Sequence, residues 1–109
     1  MNFNKQNLGS RAIKITVEEN GQVLGRAYLY LIKNDLHDKP YGLLEDVFVE
    51  EKARGRGLGT ALVKAVIEEA NAQGCYKLVG TSRYARESVH KMYLSLGFSD
   101  YGKEFKMTF

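Results

Sequence analysis

Apolar and polar residues alternate from Arg11 to Glu19, with Ile13, Ile15 and Val17 set between Lys14, Thr16 and Glu18. That period of two predicts a half-buried strand. Asn20-Gly21 follows, the strongest short hairpin-turn pair, and Gln22–Ile32 predicts the returning strand. Gly25 inside it marks a bulge or a close backbone approach. The polar stretch Lys33–Pro40 holds the sole proline and reads as a loop; Tyr41–Glu50 is strand again, with the acidic pair Glu45-Asp46 in an otherwise apolar run. From Leu58 to Gln73 the period changes. Leu58, Leu62, Val66 and Ala70 recur every fourth residue, Val63 and Ile67 add a second row, and Gly74 is placed to end this amphipathic helix. Tyr76–Thr81 predicts a short strand. Ala85–Leu96 predicts a second helix with Val89, Met92, Tyr93 and Leu96 on one face, stopped by Gly97. Phe98–Phe109 alternates loosely and is expected to form a last strand or strand pair. The order is β-β-β-α-β-α-β, an α/β (α+β) arrangement in one domain over residues 1–109, without repeats or linkers.

Composition narrows the function classes. With 44% hydrophobic and 27% charged residues the chain has the makings of an ordinary folded domain. No apolar run approaches the roughly 20 residues that span a bilayer. Met1–Arg11 is polar and lacks the apolar stretch of a signal peptide, so a cytoplasmic protein with no membrane partner is expected. The lone Cys75 excludes an intrachain disulfide and suits a small packed residue. A formal charge of +3 is too small to imply nucleic acid, and no base-reading helix is evident. Asp35, His37 and Asp38 share a loop with no second ligand cluster, so no metal site is expected.

The positive charge is informative by its placement. Lys52, Arg54 and Arg56 surround Gly55, Gly57 and Gly59 at the start of the first helix. Such a helix start presents unpaired N–H groups and the positive end of the dipole, and glycines let an anion approach the backbone closely. Neither the Walker pattern nor G-x-G-x-x-G fits: no lysine follows Gly59, and Leu62 stands where the third glycine belongs. Taken alone, three alternating glycines before a helix are as readily a tight turn.

The neighbourhood decides between these readings. Arg54-Gly55-Arg56-Gly57-Leu58-Gly59 resembles the R-x-x-G-x-G signature of the GNAT acetyltransferase family. The strand Val47-Phe48-Val49 ends five residues before the arginine, as in that family, and Tyr93-Leu94-Ser95-Leu96-Gly97-Phe98 places a tyrosine four residues before Gly-Phe. The resemblance is strong over about Gly42–Phe98 and weaker over the opening hairpin. Leu44-Glu45-Asp46-Val47-Phe48-Val49 is similar to the branch acetylating small amines, such as diamines and glucosamine 6-phosphate, and Cys75-Tyr76-Lys77-Leu78 is similar to the glucosamine-phosphate enzymes.

The resemblance implies a mixed, mostly antiparallel central sheet flanked by helices. It also implies acetyl-CoA as cofactor and direct transfer to the amine of a small molecule. The cofactor would be held by Val47, Phe48, Val49, Arg54, Gly55, Arg56, Gly57, Leu58, Gly59 and Thr60, with Arg86 and Ser88 from the second helix. Glu45 is the expected general base, with Asp46 as runner-up. Tyr93 is the expected general acid for the coenzyme A thiolate. A backbone N–H near Val47 would stabilise the thioester oxygen, and the N–H and C=O of Val49 would pair with the pantetheine arm. Glu45, Asp46, His37 and Arg83 are the expected acceptor contacts. Adjacent strand residues point to opposite faces, so only one acid should face the acceptor unless a bulge intervenes.

Two departures from the family stand out. Only about ten residues precede the first hairpin strand, where the family has a strand and one or two helices over the acceptor site. This shortened N-terminus leaves the acceptor pocket open or completed by another subunit, and a homodimer is expected. Arg86 also stands where the family often has an asparagine touching the pantetheine arm. The alternative function is a non-catalytic sensor or scaffold that binds acyl-CoA.

Overall fold

A computed structural model describes all residues, 1–109. The elements run β1 (Ser10–Glu19), β2 (Gln22–Ile32), β3 (Tyr41–Val49), a 3₁₀ turn (Glu51–Ala53), α1 (Leu58–Ala72), β4 (Leu78–Gly80) and α2 (Glu87–Ser95). The sheet order is β1-β2-β3-β4. The first three strands are antiparallel, and β4 runs parallel to β3 across the α1 crossover. No helix is long and apolar enough to cross a membrane.

The hairpin turns as its sequence requires. Asn20 and Gly21 have φ of 51° and 76°, the paired left-handed conformation of a type I′ turn. The register then slips between Val17 and Glu18, where Leu24 is the extra residue next to Gly25. Gly25 is there for space: a Cβ at this position would lie 2.8 Å from the Phe48 carbonyl and 3.1 Å from Leu62 Cδ1. A side chain would push α1 and β3 off β2.

One face of the sheet packs on α1. Ala27, Leu29, Leu31 and Leu44 from the strands meet Leu62, Val63, Val66 and Ala70 from the helix. The four helical residues follow the i, i+4 row and its neighbour, which is how the sequence period becomes a buried stripe. At about 25 cal/mol per Å² of apolar surface removed from water, this layer is the main stabilising term of the domain. α1 ends at Gly74, whose φ of 76° is the left-handed conformation expected after a helix C-terminus.

The expected final strand is absent. No strand lies beyond α2, and Tyr101, Phe105 and Phe109 in the closing segment are 98%, 91% and 109% exposed. The order is therefore β-β-β-α-β-α. Alternation encodes a strand only where a sheet edge accepts it. Here the outer edge belongs to β4, which is three residues long. The segment packs at its start, where the Phe98 ring lies 5.0 Å from that of Tyr93, and Glu104 reaches back beside β3. The exposed tail contributes to a radius of gyration of 16.0 Å, against about 13 Å for a compact chain of this length.

Candidate active site

The site is made by a bulge and a divergence in β3. Along β2, Tyr28 faces Glu45 and Arg26 faces Phe48, so Ala27 alone opposes both Asp46 and Val47. Asp46 absorbs the extra residue with φ of 50°. The bulge reverses the parity of the strand. Before it, Gly42 and Leu44 are buried; after it, Val47 and Val49 pack against the core. Both acids consequently border the same opening, which strict alternation would forbid.

The parallel pairing of β3 with β4 ends at Leu44 and Gly80. The rings of Tyr93 and Phe98 lie over Gly80, at 3.5 and 3.7 Å from where a Cβ would stand. Beyond this point the strands part and a cleft of about 790 Å³ opens. Glu45–Val49 form one wall. Arg54, Gly55 and Gly57–Gly59 form the floor, and Thr81–Arg83, Arg86, Val89, Met92 and Tyr93 form the far wall. An opening beyond the carboxyl ends of parallel strands is the usual ligand position in such sheets.

The floor is built to receive an anion. Gly55 and Gly57 have φ of 80° and 78°, and no side chain caps the start of α1. Outside the helices and strands, no backbone hydrogen bond is donated by residues 55–60; Ala61 donates the first, to Gly57 at 3.0 Å. The first N–H groups of α1 are thus left for a ligand. The Arg54 Nε–H donates to the Val49 carbonyl at 3.0 Å, and its guanidinium lies 5.6 Å from the centre of the Phe48 ring. The Val49 carbonyl thus has one partner and keeps a second lone pair. Glu50 N–H donates to Leu24 at 2.7 Å, so by antiparallel alternation Val49 directs its own N–H toward the cleft edge.

Glu45 and Tyr93 are electrostatically coupled. Burial raises the Glu45 carboxyl above its ordinary value, and the negative charges of Asp46 and Glu104 raise it further. Burial also raises the Tyr93 phenol, with Glu45 adding to the rise and Arg86 opposing it. A carboxylate with enhanced basicity and a phenol that keeps its proton are a matched base and acid.

Several expected site residues are not among those that line the cleft. Arg56 turns from the cleft to an ion pair with Glu19 at the end of β1, and its guanidinium holds the Glu19 carboxyl below the usual range. Thr60 and Ser88 do not line the cleft. Gly59 and Val63 take the cleft-facing positions of α1, and Arg86, Val89 and Tyr93 those of α2, which turns the intervening side chains away. His37 is in the loop before β3, its ring 4.7 Å from that of Tyr76. Glu45 follows four residues into the strand from Tyr41, so His37 sits beyond the opposite end of β3. Arg83 does line the cleft, and its carbonyl is within 2.9 Å of His90 Nε2, which ties the loop to α2. Cys75 is half-buried, and burial raises its thiol, which leaves it a packing residue.

The far wall also contains residues that pattern reading missed. Thr81 and Ser82 follow β4 directly, and Ser82 Oγ is buried with no hydrogen-bond partner. Their signal was available in the position of a loop after a parallel strand. Glu104 reaches the cleft from the closing segment, and nothing in its local sequence marks it.

Residues 3–98 match the acetyltransferase (GNAT) family. The chain is 31% identical to the glucosamine 6-phosphate N-acetyltransferase of Trypanosoma brucei brucei over 91 residues, 83% of this chain and 60% of that protein. It is 29% identical to aminoglycoside N(6')-acetyltransferase type 1 of Klebsiella aerogenes over 91 residues, 82% and 60% of the two chains. The chain thus spans about 60% of the length of these relatives. Among solved structures it superposes on an acetyltransferase of Trypanosoma brucei with a TM-score of 0.78 at 27% identity, covering 90% of this chain and 69% of that one.

Proposed function

The chain belongs to the acetyltransferase (GNAT) family, and from that premise we propose that it transfers an acetyl group from acetyl-CoA directly to the amine of a small molecule. The observation that carries this reading is the cleft itself. One opening joins an unpartnered helix start to a raised carboxyl and a raised phenol. The glycine cradle fits a diphosphate because Gly55 and Gly57 leave open space where a Cβ would stand. In this reading the amides at the start of α1 and the Arg54 side chain hold the diphosphate, and the free edge of β3 holds the extended arm. Acetyl-CoA, when bound, supplies the acyl group and a thiol leaving group.

The remaining chemistry belongs to the chain. An alkylamine is mostly protonated at neutral pH, so Glu45 first orients the ammonium and then takes its proton. In this reading a backbone N–H near Val47 stabilises the negative charge that develops on the thioester oxygen. One such donor is worth about 10²–10³ in rate. Tyr93 holds a proton on Oη for the departing sulfur and is reloaded from solvent. Asp46 adds to the negative field that attracts a cation. The relatives named for glucosamine 6-phosphate and aminoglycosides support an amine acceptor. The exposed outer edge of β1 supports association of two copies.

Calorimetry with acetyl-CoA, followed by thiol-release assays on an amine panel, tests the reading. Saturable binding and amine-dependent thiol release are expected. No heat of binding would remove it, and binding without turnover of any amine would leave the sensor function in its place.

A further inference from the structure

Glu45 belongs to two concavities. Besides the cleft, it lines a hollow of about 350 Å³ together with Ser10, Tyr30, Ile32, Leu43 and Asp46. Tyr30, Ile32 and Leu43 alternate with the buried Leu29, Leu31 and Leu44, so they stand on the sheet face that α1 does not cover. The two acids border both openings, with the cleft on one side and the hollow on the other.

The hollow has a definite chemistry. Its walls are an aromatic ring and two aliphatic side chains, its end is two carboxyl groups, and no cation lines it. Of the cations on the same sheet face, Lys14 lies 5.8 Å from the centre of the Tyr28 ring, and Arg26 lies 5.9 Å from it and donates to the Asp46 carbonyl at 3.3 Å, outside the hollow's lining. Arg83 and Arg86 lie across the cleft on the far wall. An ammonium group is favoured beside the acids, an apolar or ring-shaped body fits the walls, and an anionic substituent is repelled by the two carboxyls with no lining cation to offset them, the Ser10 and Tyr30 hydroxyls being neutral donors.

We propose that the acceptor binds in this hollow, entering from the open sheet face while the acyl donor occupies the cleft, and that it is a cationic amine without phosphate or carboxylate. Tyr30, Ile32 and Leu43 then set its specificity, and Glu45 is where the two ligands meet. The proposal rests on the transferase reading for its direction of transfer. It stands on its own as a binding site.

Titrations of ¹⁵N-labelled protein saturated with coenzyme A, monitored by NMR, test it without requiring turnover. The probes are spermidine, glucosamine and glucosamine 6-phosphate. Spermidine and glucosamine are expected to shift the amides of Tyr30, Ile32 and Leu43. Spermidine reports a linear polyamine and glucosamine a ring. The phosphorylated sugar is expected to bind about tenfold more weakly than glucosamine, through like-charge repulsion. Leu43→Lys should reverse that order. Tyr30→Ala should weaken amine binding about fivefold while coenzyme A affinity stays unchanged. Native dispersion of each variant's spectrum checks its fold. Amine shifts confined to Arg83 and Arg86, tighter binding of the phosphorylated sugar, or no amine binding at all overturns the proposal. Failure to bind coenzyme A, with amines still shifting the hollow, removes only the transferase reading.

Discussion

Glu45 on β3 and Tyr93 on α2 line the same cleft, and the negative charge of the first helps keep the second protonated. The coupling favours the protonated phenol, the state that the proposed general acid needs. It arises because the β3–β4 pairing stops at Leu44 and Gly80, one residue before Glu45.

Tyr93→Phe should separate packing from proton donation. The ring contact with Phe98 at 5.0 Å is kept, so the fold and acetyl-CoA affinity should be unchanged. Turnover is expected to fall roughly 10²-fold, within the range of general-acid effects. Steady-state thiol release and calorimetry check this, and wild-type turnover would remove Tyr93 from the reaction.

Glu45→Gln should act on rate and on stability in opposite directions. Turnover is expected to fall about 10²-fold, and the acidic limb of the pH–rate profile assigned to this carboxyl should disappear. The folded carboxyl titrates above its ordinary value of 4.5. The native state therefore holds the extra proton just above that pH, and stability declines as pH rises through the window. The glutamine removes this penalty, so its melting temperature should gain on wild type as pH rises above 4.5. A difference constant with pH would contradict the raised value.

Gly57→Ala tests the cradle. At φ of 78° an added Cβ meets no atom, so the cost is conformational, about 1–2 kcal/mol. Gly74→Ala has nearly the same φ at the other end of α1, 76°, and serves as control. Both should lower the melting temperature. Only the first should weaken acetyl-CoA binding, and equal affinities would place the cofactor elsewhere.

The two arginines should part company. Arg54→Ala is expected to weaken acetyl-CoA binding about tenfold, the scale of one charge-assisted contact. Arg56→Ala should leave it within about twofold, because the side chain is paired with Glu19. Equal losses would show that Arg56 leaves its pair when the cofactor binds.

Much of this was legible from local pattern. The hairpin at Asn20-Gly21, the helical stripe of Leu62 and Val66, and the glycine cradle all rest on residues a few positions apart. The resemblance to the family then pointed to Glu45, Arg54 and Tyr93, all of which line the cleft. The bulge was foreseen only as a condition, because its place depends on the pairing of Tyr28 with Glu45. Arg56, Thr60 and Ser88, expected as cofactor contacts, do not line the cleft, since spacing gives proximity along the chain and not direction across it.

The sequence by itself determined the elements, their order up to α2, and the uncapped, glycine-rich start of α1, since each follows from backbone preferences and periodicities within a turn or two. Tertiary structure decided the rest. It parted β3 from β4, brought both acids to one opening, took Arg56 to Glu19, left the Phe98–Phe109 segment unpaired, and opened the hollow beside Tyr30. Each of these depends on which distant residue occupies the space alongside, and a one-dimensional pattern carries no record of that.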